Sequence, residues 1–124
     1  PRVYDAKTKI GSNFNLLTGD DATTLAFMLY GGHGAISVTS NIAPKLCSSF
    51  MNNCMQNNYE EASRINDILM PLHSALFIES SPGPVKYAAS KLNLCEDEVR
   101  LPLINISEET KAIVDKALKH ASLL

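Results

Sequence analysis

Two short polar clusters have the composition of reaction sites. Gly19-Asp20-Asp21 follows an apolar run, and paired carboxylates at the end of a strand could hold a cation or trade a proton. The same residues suit a simpler task, because an aspartate just ahead of a helix accepts from its first free N–H groups. Helix capping is the reading adopted for Asp20 or Asp21. Gly31-Gly32-His33-Gly34 has the glycine content of a phosphate cradle, but it precedes a β-branched run rather than a helix. The spacing of Gly32, Gly34 and Ser37 also misses the G-x-G-x-x-G pattern. A tight helix-to-strand turn accounts for it. His33, His73 and His120 form no pair at chelating distance, and no G-x-S-x-G elbow occurs. Each histidine is expected to be structural or exposed.

A Schiff-base nucleophile must be a lysine that is desolvated and rigidly held. Lys7 and Lys9 lie on a polar helical stretch and Lys45 opens a helix, while Lys86 and Lys91 belong to a short helix after a Pro-Gly-Pro break. Lys111, Lys116 and Lys119 decorate the last helix. Neither apolar strand-like run contains a lysine, so no catalytic residue is assigned, and Lys86, the nearest to a candidate, reads as a surface residue. Of the three cysteines, Cys47 and Cys54 lie two turns apart on one helix face, with no histidine at ligand spacing. An odd count at wide spacing argues against a disulfide framework, and buried free thiols in a reducing cytoplasm are expected instead. No metal and no cofactor are expected.

The elements that would carry these residues read as follows. Val3 to Ile10 has helical spacing and stops at Gly11, in a C-cap role. Phe14–Thr18 is a short strand, Ala22–Tyr30 a helix, Ala35–Thr39 a second strand, and Pro44 to Gln56 a helix with proline in its first turn. This alternation with short connections is the pattern of βα units in a parallel sheet, whose strands are buried on both faces and read as apolar runs. From Tyr59 to Phe77, Ala62, Ile65, Leu69, Leu72 and Leu76 make a stripe at helical spacing, with Pro71 expected to kink it or mark a junction. Val85 to Leu92 is a short helix. Ser107 opens the last one as N-cap, with acidic residues in its first turn and Lys119 and His120 at its end. Two strands cannot finish a sheet, so the first half reads as a piece of a larger parallel sheet or barrel.

The chain has 124 residues, 45% hydrophobic and 19% charged, with a formal net charge of −2. It can bury a core, and it has no basic field to attract nucleic acid or anionic membrane. No segment is apolar for long enough to cross a bilayer, and the start, Pro1-Arg2-Val3-Tyr4, has no signal-peptide pattern. Without an initiator Met, a stretch upstream of Pro1 is expected.

Several segments in order now resemble the dihydrodipicolinate synthase family. They are Leu17-Thr18-Gly19-Asp20-Asp21-Ala22, Gly31-Gly32-His33-Gly34-Ala35-Ile36-Ser37-Val38-Thr39-Ser40-Asn41, Arg64-Ile65-Asn66-Asp67-Ile68-Leu69-Met70-Pro71-Leu72-His73, Pro84-Val85-Lys86-Tyr87-Ala88, Arg100-Leu101-Pro102-Leu103 and Ala117-Leu118-Lys119-His120-Ala121. Each is weak alone, but as a set spanning nearly the whole chain they are specific. The resemblance implies an α/β fold: the last βα units of a (β/α)8 TIM barrel over 1–57, with Phe14–Thr18 as seventh and Ala35–Thr39 as eighth strand, then a three-helix C-terminal domain over 58–124. A full barrel needs about 250 residues.

The family condenses pyruvate with L-aspartate 4-semialdehyde on the way to lysine, through a Schiff base on a sixth-strand lysine. By resemblance that lysine, a proton-transferring tyrosine and a substrate-binding arginine all lie upstream of Pro1. What transfers to this chain is substrate-binding wall: Ile36, whose backbone matches the position against pyruvate, and Gly19, at the end of the seventh strand. Packing of the barrel is an equally compatible role for both. Ser81 departs from the family, many of whose members carry Asn there. The implied partners are both substrates, the missing N-terminal barrel segment and further copies in a homo-oligomer. Two other readings are another pyruvate-dependent aldolase, such as N-acetylneuraminate lyase, and a non-catalytic oligomerisation module. The segments at Arg64–His73 and Arg100–Leu103 favour the synthase.

Overall fold

The computed structural model describes residues 2–11 and 13–124, and of Arg2 only the backbone. Helix α1, Arg2–Ile10, ends as expected at Gly11, which takes φ +77° while its N–H donates to the Lys7 carbonyl at 3.3 Å. Strand β1 is Leu17–Thr18 and helix α2 is Thr24–Leu29. Strand β2, Gly34–Ala35, lies parallel to β1, with Leu17 opposite Gly34 and Thr18 opposite Ala35. Both strands are shorter than the runs read from sequence. Flanking bonds extend the pairing, from the His33 N–H to the Leu16 carbonyl at 2.8 Å and from the Ile36 N–H to the Thr18 carbonyl at 2.8 Å. Beyond Ile36 the chain turns into a single 3₁₀ turn, Thr39–Asn41, so the β-branched residues at its end never join a ladder.

Four helices complete the chain: α3, Pro44–Met55; α4, Tyr59–Ala75; α5, Gly83–Lys91; and α6, Glu108–His120. Proline occupies the first turn of both α3 and α5, where its missing N–H costs nothing, and it starts α5 two residues earlier than expected. Helix α4 runs through Pro71 without ending. The proline leaves one carbonyl without its helical donor. Leu69 and Leu72, buried on either side of it, hold the helix together by packing. The N-cap of α6 is Ser107 as expected, accepting from the Thr110 N–H at 3.2 Å. The Ser107 hydroxyl and N–H both donate to Glu79, which ties the end of α4 to the start of α6.

The core sits among these helices. Phe50 and Cys54 of α3 pack with Ala62, Ile65, Leu69 and Leu72 of α4 and with Val114 and Leu118 of α6 in one buried cluster. Asn57, at φ +59°, makes the tight turn between α3 and α4. Met28 of α2 also reaches this core, while Leu25 and Phe27 are half-buried and Leu29 and the following Tyr30 are exposed, so the apolar face of that helix is only partly covered. The cysteines divide likewise. Cys54 is buried and Cys47 half-buried, but Cys95 is exposed, against expectation.

Candidate functional site

The two parallel strands run in register, so the residues that follow them, Gly19 and Ile36, stand side by side at their C-terminal ends. Side chains alternate across a strand, which puts Leu17, Gly19, Gly34 and Ile36 on one face and Thr18, Ala35 and Ser37 on the other. The second face is covered by helices. The first is bare: Leu17 is 53% and Ile36 72% exposed. Gly34 lies under Leu17 on that face: a Cβ there would stand 3.0 Å from the end of the Leu17 side chain, which would have to shift. Gly19 has open space around it, with nothing within 4 Å of a built Cβ. The arrangement is an apolar wall with accessible backbone at one end.

The acidic pair behind this wall does two different things. Asp20 folds its own loop, accepting from the Ala22 N–H at 3.2 Å and the Thr23 hydroxyl at 2.8 Å. Asp21 does not cap α2. Its buried carboxylate reaches the segment beyond β2 and accepts from the N–H groups of Val38 at 2.9 Å and Thr39 at 3.1 Å, with the Thr39 hydroxyl 3.4 Å away. The same hydroxyl lies 2.8 Å from Nδ1 of His73, which arrives from α4. His73 is buried, not exposed, and burial lowers its pKa against the opposing pull of Asp21 and Asp20. Sequence reasoning missed this trio. The available signal was the register of His73, four residues after Leu69 on the apolar stripe.

Asp21, Ser37, Cys47 and His73 share the wall of a cavity of about 250 Å³ on the helix side. Burial, with Asp21 adding to it, pushes the Cys47 thiol up to about 11, so it is a neutral thiol near pH 7 and a poor nucleophile. His33 accepts from the Leu16 N–H through Nδ1 at 2.9 Å, which makes it a strand clip. Ser81 lines a groove of about 710 Å³ with Phe77, Ile78, Pro102 and Ile104, whose lining includes neither Gly19 nor Ile36. Lys86 is half-buried on α5, away from both strands in sequence and element. Among the described residues, no group of three His, Cys, Asp or Glu side chains could hold a metal ion, and no helix is long and apolar enough to cross a membrane.

Comparison with known proteins gives this wall a context. The family model for the dihydrodipicolinate synthetase family matches residues 1–121. The chain belongs to that family. Its match to the 4-hydroxy-tetrahydrodipicolinate synthase of Bartonella tribocorum is 50% identical over 123 residues, 99% of this chain and 42% of that protein. The synthase of Pelagibacter ubique is 54% identical over 126 residues, again 99% of this chain and 43% of the other. The dihydrodipicolinate synthase structure from Aquifex aeolicus superposes with a TM-score of 0.94 at 35% identity, covering 98% of this chain and 42% of that one. That from Thermotoga maritima gives 0.93 at 36%, covering 99% and 42%. The chain therefore spans somewhat over two-fifths of the length of its dihydrodipicolinate synthetase relatives.

Proposed function

We propose that this chain is the C-terminal part of a 4-hydroxy-tetrahydrodipicolinate synthase, which joins pyruvate to L-aspartate 4-semialdehyde through a Schiff base in lysine biosynthesis. In this reading residues 1–57 are the C-terminal end of a (β/α)8 barrel, with β1 and β2 its last two strands, and 58–124 form the helical C-terminal domain. The observation that carries it is the bare apolar wall. Leu17 and Ile36 point where a barrel would close, and Gly19 and Ile36 offer backbone at the strand ends, where barrel enzymes bind substrate. The enzyme works in the cytoplasm as a homo-oligomer and needs no cofactor, because an amine can condense with a keto group unaided.

This chain's contribution is shape and exclusion of water. Gly19, without a side chain, leaves room for a small keto acid, and Ile36 closes that space with hydrocarbon, where a neighbouring ammonium would lose its proton more easily. The nucleophile comes from the barrel segment that the relatives carry in addition. Its amine adds to the keto carbon of pyruvate, and water leaves as the imine forms. No lysine of this chain lies on β1, β2 or the loops after them.

The test is borohydride trapping. Incubated with pyruvate and borohydride, the chain alone is expected to keep its mass; mixed with a separately made N-terminal barrel segment, it should support one reduced adduct, located on that segment. A stoichiometric adduct on any lysine here, Lys86 included, would contradict the division of labour. No adduct in the mixture, with both parts folded, would contradict the Schiff-base reading itself.

A further inference from the structure

The ladder between the strands ends at the Ile36 N–H, which donates to the Thr18 carbonyl. Immediately beyond, the N–H groups of Val38 and Thr39 have no strand to bond. Asp21 replaces the missing strand, accepting from both through one oxygen, Oδ2. The Ser37 hydroxyl then accepts from the Ser40 N–H at 2.9 Å, while the Ser40 hydroxyl donates to the Ser37 carbonyl at 2.9 Å. The segment after Ile36 is thus held by side chains. Thr39 is fully buried, and its hydroxyl joins this clamp to His73 of α4. A buried carboxylate is expensive to desolvate and is retained only where its bonds are good. Helix capping is not what it serves here: its Oδ2 bonds the amides beyond β2, and the α2 N-cap, Thr23, makes no side-chain capping bond.

We propose that Asp21, Thr39 and His73 are positioning residues for the Ile36 backbone, fixing the pyruvate-facing strand end against helix α4 of the C-terminal helical domain. The inference rests on the functional reading above, in which the backbone at Ile36 lies against the keto acid. None of the three touches substrate. Asp21 and His73 lie on the helix side of the strands, bordering the cavity beneath them, whereas Ile36 points to the open face. Their influence must pass along the backbone from Thr39 through Val38 and Ser37 to Ile36. A carboxylate and an imidazole from different parts of the chain, meeting on one hydroxyl, hold that path at its Thr39 end. A displacement of about 1 Å at a reacting geometry can cost roughly a hundredfold in rate.

The experiment uses this chain assembled with the barrel segment that supplies the lysine. Thr39→Val is the central variant, because it keeps the buried shape and removes only the shared hydroxyl. His73→Leu and His73→Asn form a pair: the first removes the ring nitrogen, and the second returns a side-chain amide able to donate or accept near the Nδ1 position. The expected result is a rise in KM for pyruvate on the order of tenfold or more in Thr39→Val and His73→Leu. The KM for aspartate 4-semialdehyde should be little changed, and His73→Asn should recover most of the loss. Amide exchange at Ile36 and Val38 should quicken in Thr39→Val. A purely structural role would instead lower the melting temperature and leave both KM values alone, and that outcome overturns the inference. If Thr39→Val does not fold, unchanged pyruvate KM in a folded His73→Leu assembly overturns it equally. If the unaltered assembly traps no pyruvate, the Schiff-base reading fails first and takes this inference with it; an adduct with unmoved KM sinks the positioning role alone.

Discussion

His73 is nearly inaccessible, and burial holds its imidazole below the ordinary 6.5, with Asp21 and Asp20 pulling the other way and losing. The folded chain therefore keeps it neutral at pH values where the unfolded chain has already taken up a proton. Above about pH 6.5 both states are neutral and His73 adds no slope. As pH falls from there through its lowered folded value, the unfolded state binds more protons and stability is lost. The expected result is a fall in unfolding free energy between about pH 7 and pH 5 that is shallower in His73→Asn, measured by urea denaturation across that range. His33 and His120 remain in both proteins and cancel in the difference. An identical slope in the two would mean that His73 is as readily protonated folded as unfolded.

The elements differ in what holds them. Helices α3, α4 and α6 share a core in which Leu69, Leu72, Val114 and Leu118 are almost completely buried. The strands share a two-residue ladder with one face open. Local opening is governed by such differences in buried apolar contact. Amides of α4 and α6 should exchange most slowly, and those of Leu17, Thr18 and Ala35 markedly faster, in a residue-resolved hydrogen-exchange experiment on the chain alone. Protection in the strands equal to that in α4 would show that the ladder needs no covering. Adding the barrel segment should slow the strand amides selectively, because only they gain new partners.

At the scale of the whole molecule, apolar surface is left over. Leu29 of α2 with Tyr30 after it, Leu17 of β1, Ile36 just beyond β2, and Leu101 and Ile104 of the α5–α6 connection are exposed together with an unpaired strand edge. Large apolar patches and bare edges drive association. Sedimentation of the chain alone should give a mass that rises with concentration, and a well-behaved monomer at high concentration would contradict this. With the barrel segment present, association should become stoichiometric and condensing activity should appear. Ile36→Asp should abolish that rescue while leaving the helical core folded, as checked by circular dichroism, because it puts an unpaired charge on the wall that must close.

The order of elements, the caps at Gly11 and Ser107 and the stripe of α4 are local matters, written in residue type and spacing, and they were legible in the chain itself. So was the family, because a set of short motifs in fixed order is a linear signal. The strand lengths were not, since a ladder ends where its partner ends: Val38 and Thr39 have strand-like side chains but meet a carboxylate instead of a strand. The role of Asp21 was likewise hidden. Beside a helix start it looks like a cap, and only the fold sets it against amides 17 and 18 positions away. His73 reads as one polar residue on a long helix until packing brings Thr39 within 2.8 Å. Burial and partnership at long sequence separation are properties of the tertiary arrangement, because they depend on which surfaces meet and not on the residues that adjoin them in the chain.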